Sequence, residues 1–412
     1  MSVHLLTVAA GLLAGPDEPA RQVATTLVAA GVPVASRQVL DEDEALLESA
    51  LRATLGAGAL VVVLAGRGGS AGELVPRTLA RVAGVRLVLS EPMLRLLEED
   101  HASRGRAMPR RLDRLALLPQ GASLLTAPSG EPGWSLAVDP GRVVVLPLGS
   151  PHLEALTRER VAPLGAGPGE VTLQRTLLTT GLGPAEVEER LGAWLGREGA
   201  VAVSSHLVDG DVWVRLRARG ASRAQAEAAL ALVERAVRRE LGADCYGADE
   251  ERLEAVVGRL LVERGLTVAL AESCTGGLLG HRLTAVPGSS RYLERGVVVY
   301  SNRAKEELLG VPAPTLAAHG AVSAPVAEAM ALGACRASGA GCGLAVTGIA
   351  GPDGGTPAKP VGTVFVGCAT PAGVQTRGYR FPGGRAAVKW QSSQAALDML
   401  RRALLPAPPE AP

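Results

Sequence analysis

The sequence predicts an α/β protein in three parts, and three observations carry that reading. Short apolar runs alternate with helical patterns along the 412 residues, the order of a parallel sheet flanked by helices. A Pro/Gly stretch, VAPLGAGPGE at 161–170, breaks that alternation as a linker does. Composition then shifts near Tyr246. The residue types with AT-rich codons (Lys, Asn, Ile, Phe and Tyr) number eleven, and all lie at or after that position. The expected parts are a parallel-sheet domain at 1–160, a small α/β domain at 171–244 and a further α/β domain at 246–405. A disordered tail, PAPPEAP, follows at 406–412.

In the first part, HLLTVAA (4–10) reads as a strand, followed by a helix to Ala30. VPVASRQV (32–39) is a strand, 42–55 a helix, and ALVVVLAG (59–66) a strand buried on both faces. The middle part opens with a strand and continues with a helix at 184–196, strands near 200–206 and 211–218, and an Ala-rich helix at 221–241. The third part begins with ADEERLEAVVGRLLVERG (248–265), an amphipathic helix with acids in its first turn and a closing glycine. The strand LTVALA (266–271), a turn and a helix come next. Then follow the strand GVVVY (296–300), the helix NRAKEELLG (302–310), the strand GLAVTG (343–348), a Gly-rich loop and the strand VGTVFVGCA (361–369).

Charge and cysteine usage exclude several classes. The formal net charge is +1, so nothing electrostatic points to direct nucleic-acid binding. Five cysteines, at 245, 274, 335, 342 and 368, are odd in number and lack C-x-x-C spacing, which disfavours a disulfide framework or a zinc site. The histidines show no metal-ligand spacing. No apolar run is long enough to span a bilayer and no basic leader precedes the first one. The expectation is a cytoplasmic protein without a membrane partner. A homodimer is compatible with the architecture, but no interface is readable.

The composition also singles out positions. Among 42 Lys and Arg only Lys305, Lys359 and Lys389 are lysine, and Asn302 is the one asparagine. A GC-rich genome favours Arg, Ala, Gly, Val and Leu wherever the fold tolerates them, so the rare types mark positions that resist replacement. The competing account is that aromatic packing differs between domains. Lysine is the sharpest case, because arginine stays charged while lysine can lose its proton and act as a base. Lys305 lies in YSNRAK, in the first turn of a short helix with Ser301 or Asn302 as cap and Gly310 as stop. A cation is unfavourable at that end of a helix. Lys305 is therefore either a solvent-facing side chain that tolerates a small cost or a base with a lowered pKa.

Two other stretches carry chemistry. AESCTGG (271–277) places Ser273 in a turn between strand and helix, where amides near Cys274–Gly277 are positioned to stabilise an oxyanion. Gly276 and Gly277 would let a substrate approach the backbone. Ser273 reads equally as a plain helix cap. Glu272 is either a site carboxylate or a solvated one, and Cys274 is either a rival nucleophile or buried packing. TGIAGPDGGTPAKPVGT (347–363) follows a strand with five glycines. Its amides suit a phosphate, although no G-K-[ST] follows, and the alternative is a long surface loop. Lys359 in that loop and Arg385 in FPGGR are candidates for an anion.

Together these motifs resemble the CinA family of competence/damage-inducible proteins. The resemblance runs over about 246–405 through AESCTGG, VVVYSNRAK (297–305), GAVS (320–323), AVTGIAGPDGG (345–355), KPVGTVFVG (359–367) and FPGGR. It implies a C-terminal nicotinamide-nucleotide amidase that converts nicotinamide mononucleotide to nicotinate mononucleotide and ammonia, in pyridine-nucleotide salvage, without a cofactor. Carried over by motif, Ser273 is the nucleophile and Lys305 its base, with Tyr300 assisting catalysis. Glu272, Thr275, Gly276, Gly277, Asn302, Thr347, Gly348, Gly351, Gly354, Gly355 and Arg385 are placed around the substrate. A non-catalytic partner in competence or the DNA-damage response is the alternative.

The first part is similar to the family's molybdopterin-binding-like domain, but departs from it where acids are needed. Where the family has Gly-Asp-Glu-Leu-Leu, this chain has Ala9-Ala10-Gly11-Leu12-Leu13. Where it has Gly-Gly-Leu-Gly-Pro-Thr-x-Asp-Asp, this chain has Ala65-Gly66-Arg67-Gly68-Gly69-Ser70-Ala71-Gly72-Glu73. The resemblance implies a metal-dependent ADP-ribose pyrophosphatase in some members. Such chemistry needs carboxylates around a divalent ion, and only Glu73 and Asp41 remain. SGEPGW (129–134) and LPLGSP (146–151) still match the end of that domain. The expectation is a retained fold without activity, with a divalent metal only if activity persists.

Overall fold

The computed structural model describes residues 2–406 except 14, 57, 67–68, 104, 127–131, 166–170 and 198. The second half of the expected linker, residues 129–131 of SGEPGW, Arg67 and Gly68, and the tail from 407 onward lie outside the described residues. The chain forms two compact units, Met1–Gln174 with Arg217–Leu230, and Arg175–Leu216 with Ala231–Pro412.

In the first unit, β1 (Val3–Val8), β2 (Val34–Leu40) and β3 (Leu60–Ala65) are followed by a two-stranded ladder of β4 (Leu87–Leu89) and β5 (Leu117–Pro119). β6 (Ser123–Leu125), β7 (Gly133–Val138) and β8 (Gly141–Pro147) complete the set. The main sheet runs β2-β1-β3-β8-β7-β6. Its first four strands are parallel and its last two form an antiparallel edge. β3 is buried at every position, as a central parallel strand covered on both faces should be. Helices α1 (Glu18–Ala29), α2 (Glu44–Leu55), α3 (Gly69–Ala83) and α4 (Glu91–Ser103) flank it, with short turns α5 (Leu153–Leu156) and α6 (Ala162–Gly165). Side-chain caps set two helix starts. Asp17 accepts from the Ala20 amide and from Thr7 Oγ1, and Asp43 accepts from the Leu46 amide. The second cap explains why α2 begins two residues after the expected position 42.

A small sheet follows, in the order β10-β11-β9-β12. Its strands are β9 (Val171–Thr179), β10 (Val201–Val208), β11 (Asp211–Gly220) and β12 (Cys245–Ala248), with helices α7 (Pro184–Leu191) and α8 (Arg223–Leu241). The helix expected to reach 196 stops at Leu191, and Leu195 instead bridges to Val203.

The C-terminal sheet has the order β14-β13-β15-β16-β17. Its strands are β13 (Val268–Glu272), β14 (Leu293–Val298), β15 (Cys342–Gly348), β16 (Thr363–Thr370) and β17 (Gly373–Arg380). β14, β13 and β15 are parallel, while β16 and β17 return antiparallel. Helices α9 (Leu253–Glu263), α10 (Leu278–Thr284), α11 (Asn302–Leu309), α12 (Ala313–His319), α13 (Ala324–Ser338) and α14 (Arg385–Leu404) surround it. α9 begins later than the sequence pattern suggested. Ala248 belongs to β12, and Glu251 spends its carboxylate on the Ala248 amide.

Close packing of α13 depends on missing side chains. A Cβ on Gly343 would lie 2.1 Å from the Ala331 carbonyl, one on Gly367 2.3 Å from the Ala327 carbonyl, and one on Gly333 2.2 Å from the Leu309 carbonyl. Helix and sheet therefore meet backbone to backbone. At the other face, Arg282 of α10 is buried and binds Glu254 of α9 at 2.7 Å. It also binds Ser393 at 2.8 Å and Gln394 at 2.7 Å, and stacks on Trp390, all three on α14. Its charge is matched and its donors are used, which is what a buried guanidinium needs. This network locks α14 against the helix that starts beside Ser273.

Candidate active site

β13 ends at Glu272, and the chain turns through Ser273–Gly277 before α10 begins at Leu278. Gly276 and Gly277 have φ of +58° and +93°. That left-handed pair is cheap only for glycine. Ser273 is therefore four residues before the helix-capping position, which Gly277 occupies, and is not a cap. Its amide is held by the Val346 carbonyl of β15 at 2.9 Å.

Lys305 reaches the same point from α11. Ser301 caps that helix by accepting from the Ala304 amide at 3.0 Å, so Asn302 occupies the first helical position and is exposed. Lys305 is 1 % exposed, the largest fully buried side chain among the described residues. The solvent-facing alternative for this residue is thereby ruled out. Its Nζ lies 3.3 Å from Ser273 Oγ, 2.8 Å from the Val299 carbonyl and 3.4 Å from the Tyr300 carbonyl. No carboxylate pairs with it among the described residues, and burial pulls its pKa below the ordinary lysine value. A neutral amine has two N–H donors and one lone pair. The two carbonyls take two of the amine's positions, and the third meets Ser273 Oγ, as a donor when the amine is protonated and as a lone pair when it is neutral.

Glu272 is 2 % exposed and turned inward. Its Oε2 accepts from the amides of Gly277 and Leu279 at 2.9 and 3.1 Å, and its Oε1 from that of Gly280 at 2.9 Å. This carboxylate is not solvated, and its three hydrogen bonds all go to backbone amides. It satisfies the positive start of α10 and holds the turn. The Gly276 amide bonds to the Ser273 carbonyl. Of the amides expected to serve an oxyanion, only those of Cys274 and Thr275 have no oxygen acceptor among the described residues. Thr275 is fully buried, and its Oγ1 has no partner. The Cys274 thiol is pushed up to about 11 by burial, which keeps the rival nucleophile protonated.

The other expected residues divide by position. Thr347 is buried and donates to the Ala321 carbonyl at 2.8 Å. Gly348 lies against Cys274: an added Cβ would sit 3.1 Å from its Sγ and 2.9 Å from the Thr363 carbonyl. Tyr300 is 63 % exposed, and its hydroxyl meets Arg385 Nη2 at 3.2 Å, so its carbonyl and not its phenol touches Lys305. Arg385 also donates from Nη1 to the Gly351 carbonyl at 2.8 Å, joining α14 to the Gly-rich loop. Gly351 and Gly354 have positive φ, and a Cβ on Gly355 would lie 2.8 Å from the Val361 amide. The loop is pinned by Ile349–Thr363, Gly362–Ile349 and Thr356–Lys359 backbone bonds. Lys359 donates to the His319 carbonyl at 2.9 Å.

One residue near this turn stood out in the sequence only as a rare type. Lys389 of α14 is half-buried, and its Nζ lies 3.7 Å from where a Cβ on Gly276 would be.

In the first unit, Glu73 pairs with Arg114 at 2.7 Å, and Asp41 accepts from the Glu42 amide at 2.8 Å. Among the described residues no three acidic, histidine or cysteine side chains are grouped as metal ligands. No helix among the described residues is long and apolar enough to cross a membrane.

Three family models match along the chain. The CinA C-terminal domain matches residues 250–404, the damage-inducible protein CinA KH domain residues 174–247, and the model described as "Probable molybdopterin binding domain" residues 5–181. A CinA-like protein of Geobacter sulfurreducens is 40 % identical over 99 % of this chain and 100 % of its own length. A CinA-like protein of Geobacter metallireducens is 38 % identical over 98 % of this chain and 100 % of its own length. The solved structure of competence/damage inducible protein CihA from Agrobacterium tumefaciens is 43 % identical, spans 37 % of this chain and 93 % of that one, and has a TM-score of 0.36. With three family segments in order and relatives matched end to end, the chain belongs to the CinA family.

Proposed function

We propose that the chain is an amidohydrolase that deamidates nicotinamide mononucleotide through a Ser273–Lys305 dyad. The observation that carries this reading is the buried Lys305 amine, without a carboxylate partner among the described residues, at 3.3 Å from Ser273 Oγ. A lysine without a counter-ion in a low-dielectric site favours its neutral form, which is the form able to accept a proton. The oriented carbonyls of Val299 and Tyr300 aim its lone pair.

In this reading Lys305 takes the Ser273 proton as Oγ bonds to the carboxamide carbon. The oxyanion forms against the Cys274 and Thr275 amides. The C–N bond then breaks, Lys305 returns the proton to the departing ammonia, and an acyl-serine remains. Water attacks that ester with Lys305 again as base, releasing the nicotinate product and restoring Ser273. The pinned Gly-rich loop and Arg385 face the nucleotide. The reading places the chemistry in the C-terminal domain and assigns none to the first unit, where Gly72 stands at the position of an expected acid.

The test is ammonia release from nicotinamide mononucleotide by the full chain. Ser273→Ala and Lys305→Arg should each lose at least about a hundredfold in turnover. Normal rates in both variants would remove the dyad.

A further inference from the structure

The small sheet reaches the buried network that holds α10. β11 opens at Asp211, and Gln394 of α14 donates from Nε2 to Asp211 Oδ2 at 2.6 Å. The Thr180 hydroxyl donates to the same carboxyl. Tyr246 of β12, the first of the compositionally rare residues, hydrogen-bonds the Gln394 carboxamide. Gln394 Oε1 in turn accepts from Arg282 Nη2 at 2.7 Å. Asp211, Gln394 and Arg282 are all buried, so bulk water does not replace a partner lost among them. An ionised carboxylate only accepts and a guanidinium only donates, so the carboxamide between them has one orientation.

The contact does not rest on one bond. Gly210, with φ of +93°, lies against Gln391 of α14, where an added Cβ would sit 3.1 Å from Gln391 Cγ. Further along the helix, Arg402 binds Asp244 and the Thr180 carbonyl, and Arg401 binds the Ala243 carbonyl. α10 itself is short, Leu278–Thr284, and follows directly on the turn that carries Ser273. Glu272 holds its start through three amides, and Arg282 holds its far end through Glu254, Ser393 and Gln394. The hold on the far end is the one that the small sheet shares.

We propose that Asp211 and Gln394 are positioning residues for Ser273: the small sheet supplies a buried acceptor that orients Gln394, Gln394 holds Arg282, and Arg282 sets α10 and the turn before it. The effect on turnover rests on the amidase reading above; the mechanical link does not. Without the Asp211 carboxylate the carboxamide loses its fixed orientation, and an N–H turned toward Arg282 would set two donors face to face. A nucleophile displaced slightly from its base loses rate while the rest of the site still binds, so kcat should fall and KM should hold.

The experiment uses the full chain with Asp211→Leu, Gln394→Met, the two combined, and Asp211→Asn, each first melted to confirm folding. Asp211→Leu and Gln394→Met should each lower kcat for ammonia release from nicotinamide mononucleotide roughly tenfold, with KM within about twofold of the parent. Because Asp211 acts through Gln394, the combined variant should be no slower than Gln394→Met alone. Asp211→Asn keeps an acceptor oxygen for Gln394 and should stay within about twofold of the parent kcat. Hydrogen–deuterium exchange should be several-fold faster at 273–284 in Gln394→Met and unchanged in α13. Unchanged kcat in Gln394→Met, losses that multiply in the combined variant, or faster exchange shared equally by α13 overturns the proposal. If Asp211→Leu does not fold, Asp211→Asn and Gln394→Met decide by the same criteria. If the parent releases no ammonia, the amidase reading falls, and unchanged exchange at 273–284 in Gln394→Met then refutes the link.

Discussion

Lys305 Nζ lies 3.3 Å from Ser273 Oγ, with no carboxylate paired to it among the described residues and two backbone carbonyls at its other positions. These residues are 32 apart in sequence. One stands at the end of β13 and the other in the first turn of α11, and the parallel pairing of β13 with β14 brings the two together. The relationship has consequences for rate, stability and pH.

The rate should rise with pH as Lys305 loses its proton. Burial lowers its pKa, so the ascending limb of kcat/KM for ammonia release should lie below the ordinary lysine value of 10.5. A pH–rate profile with unit slope on its acid side checks this. A profile flat down to acid pH would mean that Lys305 is not the base.

The same burial should cost stability. Lys305→Met removes a desolvated amine without stranding a partner charge, so it should raise the melting temperature at neutral pH while abolishing turnover. Because the folded-state pKa is depressed, the parent protein gains stability as pH rises through that lowered value toward 10.5. The advantage of Lys305→Met should therefore shrink over that window. Thermal melts of both proteins at a series of pH values measure it.

Glu272→Gln should destabilise the fold. Three backbone amides converge on this carboxylate, and a carboxamide offers one acceptor oxygen and turns N–H groups toward at least one of them. Leaving a buried donor unmet costs about 1–3 kcal/mol. Denaturant titration should show that loss, and turnover should fall because the Ser273 turn loosens.

Thr275→Val should move stability and activity in opposite directions. Its buried Oγ1 has no partner, so an apolar side chain of the same shape should raise the melting temperature. If the hydroxyl meets the substrate, kcat/KM should fall at the same time. A variant with higher stability and unchanged kinetics would assign Thr275 to packing alone.

Asp211 provides a pH effect away from the dyad. Burial is the main cause that raises its pKa to about 6, opposed by hydrogen bonds from Thr180 and Gln394; Asp398 adds to the rise and Arg282 offsets it. With the folded value above the unfolded 3.8, stability is fully present below 3.8 and is lost as pH rises to about 6. The shift corresponds to about 3 kcal/mol at neutral pH. Asp211→Asn should be more stable than the parent at pH 7.5, with the gap closing near pH 4. A constant gap in thermal melts across that range would count against it.

Much of the C-terminal part was legible in the chain. Apolar runs at 266–271 and 343–348 mark strands because parallel strands covered on both faces leave few polar positions. Gly310 ends α11 with φ of +61°, as expected for a closing glycine. The rarity of lysine in an Arg-rich chain pointed to Lys305 before any family was considered. α12, α13, β17 and α14 escaped the reading. α13 is buried through glycine and alanine and lacks a sharp polar face, while α14 turns Ser392, Ser393, Gln394, Asp398 and Arg401 inward, which blurs its apolar stripe.

What the sequence determined by itself was that Ser273 and Lys305 are candidates, and the order of strands and turns that carry them, because local pattern and residue type are properties of short segments. Tertiary structure alone decided the roles that depend on direction. It turned Glu272 inward onto the amides at the start of α10. It chose Ser301 over Asn302 as the cap, faced the Tyr300 phenol toward Arg385, and brought Lys389 to Gly276 from more than a hundred residues away. A side chain's partner is set by the packing of distant elements, and that packing here follows from backbone-close glycine contacts and one buried arginine network.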